Sequence, residues 1–387
     1  MESFLEFFSF NYMEIIAIVV LLFLLGIQLF FYLKYYKLPY TVAIKGEKKE
    51  VNAQEDKKVS VIISSENEAF RLSKLLPVIL EQDYPNFEVI VISDGSTDET
   101  EDVLDSLKIH YKNLYSTFIP YSTDRNFGRR KLAYTLGIKA ATGDVLLFVE
   151  PHAAPMSKNW MRLMTQEIDE RTDVVLGVSY FAQNKTFFNR IARFDNFIFT
   201  MQYLSYALLN SPFTGVYRNV AFKKELFFNN KGFSSHLAIE NGEDAFINQI
   251  VNENNTKVCL DQDAFTESDI DNFSLWKRIK KNYSVARSNF KDKTAEAFNL
   301  ELISRAVFYV FSIALAVYAI AVQHWGLLIV GVLLFLVRLI TQLVVINKGC
   351  KYFKSGKYYL SLVVVDILQP LYNIRFRTRM NRIKGLK

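Results

Sequence analysis

The sequence predicts an α/β domain built on a mostly parallel sheet, with transmembrane helices at both ends. Three observations carry that prediction. Strand-like and helix-like segments alternate with short connections from Val59 to Ser179, the pattern of a sheet covered on both faces. The β-branched run Val89–Ile92 reads as a buried parallel strand and leads straight into the turn Ser93-Asp94-Gly95-Ser96-Thr97-Asp98. Long apolar runs that are almost uncharged stand near both ends of the 387 residues, and half of the chain is hydrophobic.

The elements follow in order. Lys57-Lys58 closes a polar linker, after which a strand is expected at Val59–Ile63, a helix near Phe70–Gln82 and a strand at Phe87–Ile92. Asp83-Tyr84-Pro85-Asn86 is a helix stop between the last two. A helix over Asp98–Ile109 starts with hydroxyl and acid side chains that cap helices. A strand near Leu114–Ile119, a helix over Arg130–Ala141, a strand at Asp144–Val149, a helix over Ser157–Glu170 and a strand at Val174–Ser179 complete the alternation. Phe194–Leu209 is apolar but interrupted by Asp195 and Gln202, as expected of a core helix; an interfacial helix admitting a lipid-linked acceptor is the other reading.

Outside this domain the chain reads as membrane protein. Ile15–Leu33 is about long enough to cross a bilayer and lacks a small-residue cleavage site, so an uncleaved anchor is expected. Acids alone precede it, and Lys34, Lys37, Lys45, Lys48 and Lys49 follow, which puts everything from Lys34 onward in the cytoplasm. Ala306–Val322 and Leu327–Ile346 form a second pair of spans, returning the chain to the inside at Lys348, Lys351, Lys354 and Lys357. Tyr358–Tyr372 contains Asp366 and Pro370 and is followed by Arg375, Arg377, Arg379, Arg382, Lys384 and Lys387, so an in-plane or re-entrant helix is expected. Arg338, inside the last span, either snorkels or pairs with Asp366. The division is an anchor at 1–36, a linker at 37–56, the α/β domain at 57–295, a transmembrane hairpin at 296–348, and an interfacial or re-entrant helix with a basic tail at 349–387.

The net charge of +6 comes mostly from cations flanking membrane segments, where they attract anionic lipid; nothing points to nucleic acid. Cys259 and Cys350 form no disulfide or zinc motif. Ligands of open α/β sheets bind at the carboxyl ends of strands, where Asp94 can accept hydrogen bonds from a nucleotide base or ribose. Asp98 serves either there or as a helix cap. Arg129-Arg130-Lys131 opens a helix, and cations at a helix N-terminus favour an anion such as a diphosphate.

VSVIISSENE (59–68), YPNFEVIVISDGSTDET (84–100) and GRRKLAYTLGIKAATGDVLLFVEPHAAP (128–155), in that order and spacing, resemble the family 2 glycosyltransferases, and GVYRNVAFKKELFFNNKGF (215–233) and NGEDAF (241–246) resemble the acceptor half of their membrane-anchored bacterial members. The resemblance covers roughly 57–291 and implies a Rossmann-like glycosyltransferase A-type domain. It implies transfer of a sugar, with inversion, from a nucleotide diphosphate donor to a membrane-associated acceptor, lipid-linked or glycan, at the bacterial inner (plasma) membrane. By the same resemblance Glu68 and Asp94 touch the nucleoside, Arg130 or Lys131 the phosphates, and Asp244 is the base with Glu243 beside it. Relatives carry Asp-x-Asp for a divalent metal where this chain has Glu150-Pro151-His152, a pair that suits manganese or magnesium through Glu150 and manganese through His152. They also carry a Gln-x-x-Arg box near 278–282, where this chain has Arg278, Lys281 and Asn282, keeping charge without the bidentate fork at 281. Two departures at once leave a second expectation standing, a degenerate member that binds nucleotide or a partner subunit without transfer. A processive polysaccharide synthase would need more spans than three.

Overall fold

The computed structural model describes residues 8–46, 57–121, 129–236, 243–270, 272–290 and 296–384. Most of the expected linker (47–56), the pair Asn241-Gly242 before the expected base, and the end of the basic tail with Lys387 lie outside the described residues.

Strands β1 (Val59–Ser65), β2 (Phe87–Asp94), β3 (Leu114–Ile119) and β4 (Val145–Phe148) form a parallel block in the order β3-β2-β1-β4. Residues alternate between two cores with the strand period of two. Val59, Val61, Ile63, Val89 and Val91 face one core with helix α3 (Ala69–Leu80). Ile62, Ile90 and Ile92 face the other with α5 (Arg129–Ala140). Helix α4 (Thr100–His110) lies against α3. α5 comes close to the sheet at Gly137, where a Cβ would sit 2.5 Å from Ile92 Cδ1 and 2.9 Å from Ile62 Cγ2.

Beyond β4 the structure departs from simple alternation. The expected strand Val174–Ser179 is two strands, β6 (Val174–Leu176) in the main sheet and β7 (Ser179–Phe181) in a small second sheet. Asn219 causes the break: its carbonyl takes the Gly177 N–H at 3.0 Å and its side-chain amide donates to the Val178 carbonyl at 2.9 Å. The expected helix Ser157–Glu170 shortens to α6 (Trp160–Thr165). At its far end the Asp169 carboxylate accepts from the Arg171 and Thr172 amides at 2.8 and 2.7 Å, a turn that stops the helix. β8 (Val220–Lys223) enters antiparallel between β4 and β6, and β9 (Thr256–Val258) closes the edge. The short β5 (Ala153–Pro155) and β10 (Thr266–Ser268) complete the second sheet with β7. α7 (Phe187–Leu208) is a core helix, its Phe194, Phe197, Ile198, Met201, Tyr203 and Leu204 all buried. Short helices α8 (Lys224–Asn229) and α9 (Asp244–Ile250) and the longer α10 (Phe273–Arg287) follow.

Among the described residues three helical stretches are long and apolar enough to cross a membrane: Tyr12–Lys45, Phe298–Ala321 and Trp325–Tyr352. The first is α1 (Tyr12–Phe30) running through a π-helical turn at Phe31–Tyr36 into α2 (Leu38–Lys45). An Asn11–Glu14 capping box starts it. The other two are α11 (Ala297–Ala321) and α12 (Trp325–Tyr352). The hairpin turn between them meets the start of α1, with His324 Nε2 3.0 Å from the Ser9 carbonyl oxygen. That contact puts the N-terminal segment and the hairpin turn at the same end of the bundle.

The apolar run at Tyr358–Tyr372 becomes most of α13 (Ser361–Lys384), which docks against the spans through Asp366. The Asp366 carboxylate accepts from Arg338 Nη2 of α12 at 2.8 Å, and from Arg305 Nη1 at 3.0 Å and the Tyr309 hydroxyl at 2.8 Å, both of α11. Arg305 also pairs with Glu301 at 2.6 Å. Of the two readings of Arg338, pairing is the one observed, and it meets the demand that an intramembrane charge find a partner.

Candidate active site

Element ends and loops converge on one cavity of about 500 Å³ at the carboxyl end of β4. Glu150 and His152 come from the turn that follows this strand, Arg130 from the first turn of α5, and Glu243 and Asp244 from the start of α9. Arg278 stands on α10 at the exposed rim. Residues far apart in the chain thus meet where the fold presents its strand ends.

Arg130 is the hub of the acidic cluster. Its guanidinium contacts Glu150 Oε1 very closely, lies 3.1 Å from Glu243 Oε1 through Nε, and donates to the Tyr134 hydroxyl at 3.1 Å. Burial opposes ionisation of Glu150, but the adjacent Arg130 outweighs it and brings the carboxyl down to about 2. Burial is the main reason the His152 imidazole is pushed down to about 3, so it is neutral at physiological pH. Asp244 goes the other way, raised to about 8, first by burial and then by the charges of Glu243 and Glu150.

His152 Nε2 lies 3.1 Å from Glu150 Oε2, yet it is buried and makes no hydrogen bond. Glu243 Oε2 is likewise buried and has no hydrogen-bond partner among the described residues. A carboxylate beside a neutral imidazole with a free ring nitrogen is a donor pair for manganese or magnesium. Among the described residues no group of three or more His, Cys, Asp or Glu side chains is placed to hold a metal. Glu150 and His152 are thus two side chains whose chemistry fits a share in holding a cation.

The remaining expected site residues stand off the cavity wall. Asp94 is buried at the end of β2 and paired with Arg129, whose Nη2 is 2.6 Å away. Capping falls to Asp98, which accepts from the Thr100 amide at 3.2 Å and the Ala69 amide at 3.1 Å. Glu68, just before α3, pairs with Arg71 at 2.5 Å and lies 3.8 Å from Arg278, which links the β1 strand end to the cavity rim. Lys131 is 1 % exposed and points into the fold, its pKa lowered by burial. Lys281 is half-buried and does not line the cavity.

Among the cavity residues that the sequence reading did not single out, Arg218 carries a charge. Arg218 is buried, donates to Asn196 Oδ1 at 2.9 Å, lies 5.0 Å from the Phe181 ring centre, and leaves its Nε without a hydrogen bond. Its sequence signals were a single cation inside the apolar stretch Phe213–Phe222 and its place in the stretch 215–233 that carries part of the resemblance.

Residues 60–228 match the family described as Glycosyl transferase family 2. The chain is 30% identical over 118 residues to an uncharacterized glycosyltransferase, alr2836, of Nostoc sp., covering 30% of this chain and 34% of that protein. It is 27% identical over 123 residues to the glycosyltransferase GlyG of Streptococcus pneumoniae, covering 32% and 39%. The chain thus spans between a third and two fifths of the length of these relatives. Its fold is similar to that of the mannosyltransferase PcManGT from Pyrobaculum calidifontis, solved with GDP-Man and Mn2+ (TM-score 0.60, 19% identity, 93% of this chain and 99% of that one). A parallel block whose strand ends gather acids and guanidinium groups, together with these matches, identifies a domain of glycosyltransferase family 2.

Proposed function

We propose that the protein is a membrane-bound glycosyltransferase passing one sugar, with inversion, from a nucleotide diphosphate donor to a membrane-associated acceptor, lipid-linked or glycan. The observation that carries this reading is the sharing of one cavity by Asp244, the Glu150–His152 pair and the guanidinium groups of Arg130 and Arg278. In this reading Asp94 and Glu68 hold the nucleoside, with Arg129 beside Asp94 steadying its carboxylate. Arg130 and Arg278 face the diphosphate, with Lys131 and Lys281 as supporting charge behind them.

Asp244 takes the proton of the acceptor hydroxyl, and Glu243 beside it keeps the local charge negative. The hydroxyl oxygen attacks the anomeric carbon from the face opposite the diphosphate. The bond to the diphosphate oxygen breaks, and the nucleotide leaves with that electron pair. A divalent cation on Glu150 and His152 would offset the charge of the leaving group. The neighbour solved with GDP-Man and Mn2+ supports a nucleotide sugar and a divalent metal as the ligand classes. The cations following the first span and the hairpin support a multi-pass protein of a bacterial inner (plasma) membrane, its catalytic domain cytoplasmic.

Asp244→Asn tests the mechanism: nucleotide binding should persist while transfer falls on the order of 10²–10⁴-fold. Full transfer by a folded Asp244→Asn protein rejects the assignment. One observation favours the degenerate reading, namely that Arg130 already spans Glu150 and Glu243. Metal-dependent donor turnover separates the two: an active transferase shows it and a nucleotide-binding relic does not.

A further inference from the structure

The cavity is chemically two-sided. Beyond the cluster around Asp244, its wall is formed by Phe199 of α7, Tyr283 of α10, Phe290, and Phe298 and Leu302 of α11. The Phe199 and Tyr283 rings lie 4.2 Å apart, and the Phe298 ring is 5.2 Å from Tyr206 and 5.8 Å from Phe31 of the first span. Polar side chains stand beside these rings, but Gln202 donates to the Tyr36 hydroxyl at 3.4 Å and Arg287 to Asn299 Oδ1 at 3.0 Å, so the rings and Leu302 give this side a surface that suits hydrocarbon.

Its position narrows the occupant further. Phe298 and Leu302 belong to a helix long and apolar enough to cross a membrane. Across the opening, α13 contributes Ile374, which lines the cavity yet is 52% exposed, and Leu302 is itself partly exposed. Both side chains stand on helices of the bundle that Asp366 ties together. Polar atoms also face the cavity without partners: Trp276 Nε1 and Asn282 Oδ1 of α10 are buried and make no hydrogen bond. The Lys280 ammonium on the same wall is held by Asp195 at 2.9 Å and by Asn373. A ligand that satisfies both halves has a polar head and a long apolar chain.

We propose that the pocket walled by Phe199, Tyr283, Phe290, Phe298 and Leu302 takes the hydrocarbon chain of the sugar acceptor, which enters sideways from the bilayer past Leu302 and Ile374. The proposal rests on the transferase reading for the word acceptor, and it narrows a membrane-associated acceptor to a long-chain amphiphile. The head then lies among Trp276, Asn282 and Lys280, with its hydroxyl leading toward Asp244. The entry runs between α11, α13 and α10, not along α7, whose apolar face is spent on the core.

The test uses the full chain in phosphatidylcholine nanodiscs and a 16-carbon alcohol carrying a diazirine at its far end. After illumination, adducts should map to the segments around 283–302 and 369–376. Leu302→Trp, which fills the mouth, should lower those adducts on the order of tenfold. Adducts at the outward-facing Val332 and Leu333 should stay unchanged and report that the protein is folded. Leu302→Ala should retain the labelling. Adducts confined to outward-facing residues, or labelling indifferent to Leu302→Trp in a folded protein, overturn the pocket. Donor turnover by the unsubstituted protein is scored separately: its absence rejects the transferase reading, while the labelling pattern still decides the pocket.

Discussion

Replacing Asp366 by leucine should destabilise the membrane bundle strongly, and a second change should cure most of the damage. The buried cluster of Glu301, Arg305, Arg338 and Asp366 is balanced, with two acids and two guanidinium groups, each 1% exposed or less. Without Asp366, Arg305 keeps Glu301 at 2.6 Å, whereas Arg338 keeps only neutral partners, Gln28 Oε1 at 3.1 Å and the Tyr309 hydroxyl at 2.9 Å. The change therefore strands one buried cation, at about 3–5 kcal/mol. Asp366→Leu with Arg338→Met removes both members and leaves the Glu301–Arg305 pair neutral. That double variant should lie within about 1–2 kcal/mol of the unsubstituted protein, the residue being the lost bonds of Gln28 and Tyr309. The assay is the temperature at which the detergent-solubilised protein loses its monodisperse elution peak. A single Asp366→Leu variant as heat-stable as the parent refutes the reasoning. So does a double variant that loses as much as the two single changes combined.

Three further outcomes are expected. With Asp244 as an ionised base raised to about 8, kcat/KM should climb with pH up to about 8 and then level, because only the deprotonated form accepts the proton; a profile flat from pH 6 to 9 removes Asp244 from that role. Asp94→Ala, which strips Arg129 of its partner at 2.6 Å, should weaken nucleoside diphosphate binding by roughly tenfold or more in calorimetry, and unchanged affinity would count against the β2 strand end as the nucleoside site. Replacing His152 by Ala should abolish Mn2+ binding measured by electron paramagnetic resonance in the presence of nucleoside diphosphate, and retained binding places the metal elsewhere.

The local code was readable where local physics decides the structure. The alternation that sends Val59, Val61 and Ile63 to one core and Ile62 to the other is written in the residues of β1. The three spans were visible as length and apolarity. Long-range placement was not. β8 is four residues long and enters antiparallel because the chain returns to the sheet after α7, which no window around Val220 reveals. The break after Leu176 depends on Asn219, far along the chain. In the site, helix phase decides among neighbours that look equivalent as a charge run: Arg129 reaches Asp94, Arg130 enters the acidic cluster, and Lys131 is turned inward. Arg218 stayed hidden because a buried cation is recognised only when its surroundings are known.

The last helix has two duties within a single turn. Asp366 fastens it among the candidate spans, and three residues on, Gln369 donates to Asp195 at 3.2 Å, on the wall of the candidate active-site cavity. On the proposed reading the bilayer and the chemistry meet within that turn: a thicker or thinner membrane that tilts the spans also shifts a wall of the cavity. A fragment cut before the hairpin, convenient as it would be in solution, would be a trough with one side missing. For a membrane-bound transferase of the kind proposed, lipid environment is then a kinetic variable in the same way that temperature is.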